Sequence, residues 1–303
     1  MSRTSLLVFV VLLGVAGCGG SSVDDPESAR CDEPSTTLGT VRVVGDHREQ
    51  GVHFTCNGAT LGGTLYLPAK HAGRRAAVVF VHGSGETARL GYGNLVEPFL
   101  RSGIAFFSYD KRGTGESEGE CCPGDQGHFN LLAADVDGAV NALRRSPELD
   151  GKRIGLFGIS QAGWVAPLAA VRSHGRIAFL TLVTAAATST GEEALYSDLA
   201  GEESGGSDLS KAEIDRRVAD AKPSGFDPRP VLGQLTVPSL WLFGSDDISV
   251  PNDASLRVLQ RLRDEGKDVT TVVYPHAGHS FVDVPAVAPT AMPNLVRWVE
   301  SHS

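Results

Sequence analysis

The chain has 303 residues, of which 41% are hydrophobic and 21% are charged, and its formal net charge is -9 at pH 7. This is the composition of a globular protein long enough to bury a full core. The negative charge argues against nucleic acid as a partner, because no run of Lys and Arg offsets repulsion from phosphates.

No motif in the sequence indicates a nucleotide cofactor. It contains neither G-x-x-x-x-G-K-[ST] nor G-x-G-x-x-G, the glycine-rich patterns that cradle phosphates. We therefore predict no cofactor and no metal.

The N-terminus has the layout of a bacterial export signal. Arg3 precedes an apolar run over residues 6–15, which is too short to span a bilayer stably. The run ends in "VAGC" at 15–18, which resembles the lipobox at which bacterial lipoproteins are cleaved. We expect a signal peptide over 1–17 and a lipidated Cys18 that anchors the protein to a membrane on the extracytoplasmic side. The alternative is a plain secretory signal in which the cysteine is incidental.

A polar segment and four cysteines follow the signal. The segment is small, polar and acidic, which predicts a flexible tether over 18–39 and a globular domain over 40–303. Export favours disulfides among the remaining cysteines, whose three possible pairings the sequence does not distinguish. These cysteines are Cys31, Cys56, Cys121 and Cys122. Cys121, Cys122 and His128 could in principle ligate a metal, but adjacent cysteines lack the usual zinc-site spacing.

The domain begins with short alternating runs and continues with unbroken apolar runs. Runs at 41–44, 52–55 and 61–67, separated by Gly and Asn, predict an antiparallel start. Unbroken runs are typical of central strands buried on both faces; they lie at 76–82, 104–110, 153–159, 178–183, 239–244 and 269–274. Helical patterns fall near 92–102, 130–145, 161–172, 253–265 and 291–301. Strand–helix alternation predicts a mostly parallel α/β sheet with helices on both faces.

One segment interrupts this alternation. Residues 188–230, here called the lid segment, are rich in Gly, Ser and acidic residues and contain one predicted helix, 210–221. Ser207 or Asp208 is available as its cap. We interpret the segment as a small lid over the carboxyl edge of the sheet; the alternative is a solvated loop with no part in binding.

Chemically active side chains follow four of the predicted strands. Ligands of open α/β sheets bind outside the carboxyl ends of the strands. At those ends the sequence places "HGSGE" at 82–86, then Ser160, then Asp246 and Asp247, then His276 and His279. The order serine, acid, histidine is that of α/β-hydrolase triads.

These loops resemble those of the α/β-hydrolase superfamily, close to its bacterial exported esterase-like members. "VVFVHGSGE" resembles the oxyanion loop and "RIGLFGISQAGWVAP" the turn that presents the nucleophile. "GSDDISVP" and "HAGHSF" resemble the acid and histidine loops. The resemblance runs from about residue 41 to the end and implies an α/β-hydrolase fold. Ala162 departs from the G-x-S-x-G pattern, and its methyl group should cost about 1 kcal/mol if the Cβ is crowded.

The resemblance implies a Ser-His-Asp triad. Ser160 would be the nucleophile, and His279 the base that takes its proton and returns it to the leaving group. Asp247 would orient the imidazole and stabilise its charged form. The G-x-x-D-x-x-V-P pattern selects Asp247 with Asp246 as the alternative, and the terminal G-H selects His279 with His276 as the alternative.

The oxyanion site and the supporting residues are also implied. The tetrahedral intermediate needs two fixed donors, which the resemblance identifies as the backbone N–H groups of Ser84 and Gln161. His82 is expected to shape the oxyanion loop and Trp164 to lie in the core. Asp110, Arg112 and Glu116 are expected to form an internally paired turn.

The predicted activity is that of a carboxylesterase that cleaves small acyl esters through an acyl-enzyme intermediate. A peptidase or aminopeptidase is the alternative, because the pair Glu192 and Glu193 could bind a substrate ammonium group, although a solvated helix start is the simpler interpretation. A non-catalytic surface-binding lipoprotein is the third hypothesis, but no part of the catalytic machinery is missing from the sequence.

Overall fold

The computed structural model describes residues 31, 33–70, 73–91, 93–122 and 126–303. The predicted signal peptide and Cys18 lie outside these residues. The folded domain starts before the predicted boundary at residue 40, because Thr36–Leu38 form a strand, β1, that pairs with residues 52–54. The predicted tether is therefore too long at its C-terminal end. Residues 36–38 have no apolar alternation that would predict a strand. They are ordered because they pair with backbone groups that the neighbouring strand would otherwise leave unpaired at its edge.

A mixed ten-stranded sheet runs through the domain. After β1, its strands are β2 Arg42–Val44, β3 His47–Cys56, β4 Ala59–Pro68, β5 Arg75–Val81, β6 Ala105–Tyr109, β7 Leu149–Ile159, β8 Leu180–Val183, β9 Ser239–Gly244 and β10 Val269–Tyr274. The strand order is β1-β3-β4-β6-β5-β7-β8-β9-β10, with β2 paired to β3. Pairing is antiparallel as far as β6 and parallel from β6 to β10. The predicted antiparallel start and parallel centre are confirmed.

Helices cover both faces of this sheet. They are α1 Glu97–Arg101, α2 Gln126–Leu143, α3 Ala162–Arg172, α4 Thr190–Ala200, α5 Lys211–Asp220, α6 Arg229–Leu232, α7 Asn252–Asp264 and α8 Ala291–His302. Successive side chains of a strand point to opposite faces, so Val79 and Val81 of β5 pack with α2, α3 and α7. Val78 and Phe80 pack on the other face, with α1 and α8.

The lid segment is more ordered than predicted. The sequence indicated one helix in this segment, but the structure has two, α4 and α5, and the segment also reaches the start of α6. A capping box begins α4: Ser189 accepts from the N–H of Glu192, whose carboxylate accepts from the N–H of Ser189. Ser210 caps α5, so the predicted caps Ser207 and Asp208 are wrong.

A small apolar cluster holds the lid segment together and against α7. It is formed by Tyr196, Ala200, Ile214, Val218 and Ala254. Because much of the support for α4 comes from this packing, a sequence pattern confined to α4 could not reveal the helix.

The cysteines divide into two pairs. Cys31 and Cys56 are buried free thiols, whereas Cys121 and Cys122 are neighbours in the chain, and a disulfide between them stays a prediction. In the ranges that the structure describes, no group of three or more His, Cys, Asp or Glu side chains is arranged to hold a metal ion. Nor does any helix of those ranges have the length and apolar character needed to cross a membrane.

Candidate active site

Ser160 lies in a sharp turn between β7 and α3, at the carboxyl edge of the sheet. Its φ of 55° is in the left-handed region, which non-glycine residues rarely occupy and which is concentrated at functional sites. Its backbone N–H donates to the carbonyl of Val183 at 3.1 Å, which fixes the turn against β8. The strand–turn–helix context expected of a nucleophile elbow is therefore present.

The alanine that departs from the motif is accommodated by the glycine before the serine. A Cβ built on Gly158 would overlap the Cβ of Ala162, so the alanine methyl group occupies the space that Gly158 leaves open. A Cβ on Gly163 would overlap the carbonyl oxygen of Ala186, so the backbone of α3 lies directly against the loop after β8. Small residues are required on both sides of Ser160, and Ala162 meets that requirement.

Asp247 and His279 form a buried pair after β9 and β10. The Nδ1 of His279 lies 3.0 Å from Oδ2 and 3.2 Å from Oδ1 of Asp247. The Asp247 side chain is 0% exposed and that of His279 is 27% exposed. Oδ1 also accepts the N–H groups of Ser249 and Val250, at 2.8 and 3.1 Å. The carboxylate is therefore fixed, and only the imidazole reaches the surface of the site.

The pKa of His279 reflects opposing influences. Burial disfavours the imidazolium and lowers the pKa, but hydrogen bonding to Asp247 and the negative charge of Asp247 oppose burial. The charges of Glu202 and Glu193 add to the same effect, and the net result is a pKa above its ordinary value. The environment thus stabilises the protonated imidazole that a general base becomes.

The alternative acid and base lie apart from this pair. The side chain of Asp246 is 58% exposed and that of His276 is 92% exposed, and their closest charged atoms are 3.7 Å apart. Asp246 accepts a hydrogen bond from the hydroxyl of Ser245. The loops after β9 and β10 therefore contain two acid–histidine pairs, and the more buried, doubly hydrogen-bonded one is Asp247–His279.

Ser160 shares the carboxyl edge with the pair but is not hydrogen-bonded to it. Across the described chain, no hydrogen bond joins the Ser160 hydroxyl to either ring nitrogen of His279. Catalytic hydrogen bonds are often long in a free enzyme and tighten when substrate binds.

The predicted oxyanion residues flank Ser160. A Cβ built on Gly83 would lie 3.6 Å from the Cβ of Ser160, so the loop after β5 runs beside the turn. Ser84 follows in that loop and is exposed, whereas Gln161 directly follows Ser160 and is buried. That their N–H groups act as the donors stays a prediction.

The supporting residues are largely as expected. His82 is buried and its Nε2 lies 2.7 Å from the carbonyl oxygen of Tyr109, and burial lowers its pKa to about 4 and keeps it neutral. Trp164 is in the core, where its indole N–H donates to the carbonyl of Thr188.

The turn after β6 is paired differently from the prediction. The Asp110 carboxylate accepts from the N–H of Glu116, but both acids also bind Arg89 of the preceding loop. Arg112 leaves the turn altogether and binds Asp135 of α2 in a buried ion pair. The expectation of a purely internal network is wrong because helix α2 supplies the carboxylate that Arg112 needs once it is buried.

The lid segment contacts the acid loop. The Tyr196 hydroxyl donates to the carbonyl of Asp247 at 2.9 Å, and Ser249 hydrogen-bonds Glu202. Burial and the nearby Glu202 raise the pKa of Glu193 to about 7. Sequence reasoning missed Tyr196 and Glu202, because only the tertiary position of α4 brings them to the site.

A pocket of about 560 Å³ opens in the lid segment. It is lined by Glu193, Ala194, Ser197, Asp198, Gly201, Glu203 and Ser204. Three of these residues are acidic, and Glu193 is also close enough to His279 to influence its pKa. The pocket is therefore an acidic surface of the lid segment.

Comparisons with known proteins agree with this architecture. Residues 72–201 match the model of the serine aminopeptidase family. A segment of 110 residues is 33% identical to the thiohydrolase aneE of Aspergillus aculeatus, and it covers 36% of this chain and 33% of that protein. The match thus spans about a third of that relative's length.

Solved structures resemble the chain over most of its length. An acetyl xylan esterase from Paenibacillus has a TM-score of 0.64 at 15% identity, covering 89% of this chain and 90% of that one. An esterase from Pyrococcus furiosus has a TM-score of 0.63 at 18% identity, covering 88% and 98%. The chain has the α/β-hydrolase fold, as predicted.

Proposed function

We propose that the chain is a serine hydrolase, and specifically a carboxylesterase that cleaves small acyl esters. The observation that carries this proposal is the buried Asp247–His279 pair at the sheet edge that also presents Ser160 in a left-handed turn. Nucleophilic acyl transfer requires these three kinds of side chain: a nucleophile, a base and a group that orients the base.

The proposed reaction has two acyl-transfer steps. The Ser160 oxygen attacks the ester carbonyl carbon while its proton passes to Nε2 of His279. The resulting oxyanion accepts the backbone N–H groups of Ser84 and Gln161, and Asp247 stabilises the imidazolium. Collapse breaks the ester C–O bond, and the alcohol leaves with the proton from His279. Water then attacks the acyl-enzyme by the same route and frees the acid and Ser160.

An aminopeptidase is the second candidate. Two observations support it: the match to the serine aminopeptidase family model and the acidic pocket formed by Glu193, Asp198 and Glu203. A substrate with a free α-ammonium group could bind those carboxylates while its carbonyl lies at Ser160. Structural neighbours that are esterases support the first candidate instead.

A substrate panel separates these candidates. We would measure hydrolysis of nitrophenyl acetate, butyrate and octanoate beside aminoacyl nitroanilides and a short acyl thioester. The proposal predicts that a short ester is the best substrate and that Ser160→Ala lowers kcat roughly 10⁶-fold. Faster turnover of anilides than of every ester favours the aminopeptidase. No turnover of any substrate by the wild type favours the binding lipoprotein.

We also propose that the protein acts in the cell envelope, anchored through Cys18. The support is the N-terminal sequence alone, in which a short apolar run ends at the cysteine of "VAGC".

A further inference from the structure

Lys111 is a buried cation that the mechanism above does not use. It follows β6 and is 1% exposed, although lysine is almost never fully buried unless it is paired. No carboxylate forms an ion pair with it in the described ranges. Its ammonium group instead donates to three neutral oxygens, the carbonyls of Gly83 and Gly85 at 2.9 and 3.0 Å and Oε1 of Gln161 at 3.0 Å. All three of its donors are satisfied.

These three acceptors belong to the two segments that flank Ser160. Strands β6, β5 and β7 are neighbours in the sheet, so their following loops lie side by side at the carboxyl edge. Lys111, after β6, reaches across the loop after β5 and ends at the turn after β7. One side chain therefore ties three successive loops together at the proposed oxyanion site.

Peptide geometry connects this contact to the direction of an N–H group. In a planar trans peptide, the carbonyl of one residue and the N–H of the next point in opposite directions. The hydrogen bond to the Gly83 carbonyl therefore fixes the direction in which the N–H of Ser84 points. The second bond, to the Gly85 carbonyl, holds the Gly85–Glu86 peptide further along the same loop.

We propose that Lys111 is a positioning residue for the oxyanion site: it holds the loop at Ser84 in the orientation that stabilises the tetrahedral intermediate, and through the Gln161 side chain it ties that loop to the turn at Ser160. It acts through the backbone and does not itself touch the substrate. The inference rests on the proposed serine hydrolase function, since without an oxyanion there is nothing to position.

The test compares substrate binding with transition-state stabilisation. Lys111→Met keeps the length of the side chain and removes all three donors. We expect kcat for a nitrophenyl ester to fall about 10²-fold, the cost of a small misplacement of catalytic groups, with KM nearly unchanged. The affinity for a trifluoromethyl ketone, whose hemiketal oxygen occupies the oxyanion position, should fall by the same factor. Lys111→Arg, which keeps the charge and N–H donors, should recover part of the loss.

A matched control removes general instability as the explanation. Leu295→Ala truncates a fully buried side chain of α8, on the face of the sheet packed by α1 and α8, and should lower the melting temperature without changing kcat. Wild-type kcat and inhibitor affinity in Lys111→Met would overturn the proposal, as would losses no larger than those of the control. Activity retained by Ser160→Ala would instead refute the serine hydrolase on which the inference depends.

A second variant tests the same contact if Lys111→Met does not fold. Gln161→Met removes one of the three acceptors but keeps the backbone N–H of residue 161. We expect kcat to fall about tenfold with KM unchanged, a smaller misplacement than the loss of all three bonds. A wild-type kcat in this variant contradicts the inference.

Lys111 also predicts a pH signature. Burial lowers its pKa to about 8. The ionisable residues next to it in the chain are Asp110, which binds Arg89, and Arg112, which binds Asp135. On the loop after β5, the neutral His82 and Glu86 flank the two glycines whose carbonyls it binds. Loss of the proton leaves two donors for three acceptors, so wild-type kcat should fall as the pH rises through about 8. Lys111→Met should lack that step, and the same step in the variant would contradict the proposal.

Discussion

The imidazole of His279 is held by Asp247 through two contacts to one ring nitrogen, at 3.0 and 3.2 Å, while two backbone N–H groups hold the carboxylate. Asp246, one residue earlier in the chain, faces solvent beside His276. Adjacent acids thus have different environments, and this difference can be tested by parallel substitution.

Replacing Asp247 by Asn should lower kcat about 10⁴-fold, because the amide cannot stabilise the imidazolium or enforce its orientation. It should also shift the acidic limb of the pH–rate profile to lower pH. The base must be neutral, and Asp247 raises the pKa of His279, so without that carboxylate His279 stays neutral at lower pH. Steady-state kinetics between pH 4 and pH 9 measure both effects.

Asp246→Asn is the matched control. It removes a carboxylate that is 58% exposed and should leave kcat and the acidic limb at their wild-type values. Loss of activity in this variant, with activity kept in Asp247→Asn, would reverse the assignment.

Gly158→Ala should destabilise the fold by about 1–3 kcal/mol, the usual cost of overpacking a core. The new methyl group would overlap the Cβ of Ala162 and press on Val81 and Leu182, both 3.2 Å away. The loss should be smaller when Ala162→Gly is also present, by at least about 0.5 kcal/mol, as expected for residues in contact. Urea unfolding of the four proteins measures this coupling, and equal losses in both backgrounds would show that Ala162 is not the obstacle.

Asp135→Asn should lower the free energy of unfolding by about 3–5 kcal/mol, because it leaves the guanidinium of Arg112 buried without its carboxylate. The two side chains are 0% and 6% exposed, and their closest atoms are 2.5 Å apart. Glu213→Gln, which breaks the exposed ion pairs to Arg216 and Arg217, should leave the unfolding midpoint unchanged. Equal shifts of the two midpoints would contradict the buried-pair account.

Expression in a bacterial host tests the anchor. The mature protein should begin at Cys18 and carry a mass increase for the lipid, and it should sediment with membranes. Cys18→Ala should abolish the mass increase and the sedimentation. A mature N-terminus at another residue would leave the plain secretory signal as the explanation.

The predicted strands and the residues that follow them could be found from sequence, because long apolar runs and turn chemistry are local signals. The positions of Ser160 and His279 after predicted strands could be inferred in this way, and their catalytic roles stay predictions. The environment of Asp247 could not be predicted, because spacing does not reveal which of two adjacent acids accepts the N–H groups of Ser249 and Val250.

Features that depend on tertiary contacts were missed. The helix α4 depends on a capping box and on packing of Tyr196 against α5, and β1 depends on the edge of β3. Lys111 gave no signal because a lysine in a polar loop is ordinarily exposed, and only the neighbouring loops make it a buried donor.

Covalent labelling of the nucleophile shows whether Ser160 performs acyl transfer. The wild type and Ser160→Ala would be treated with a fluorophosphonate and then digested for peptide mapping. We expect one phosphonyl group per wild-type molecule, located on Ser160, with loss of esterase activity in proportion to labelling and no labelling of Ser160→Ala. Equal labelling of both proteins, or a phosphonyl group on another residue, would contradict this role of Ser160.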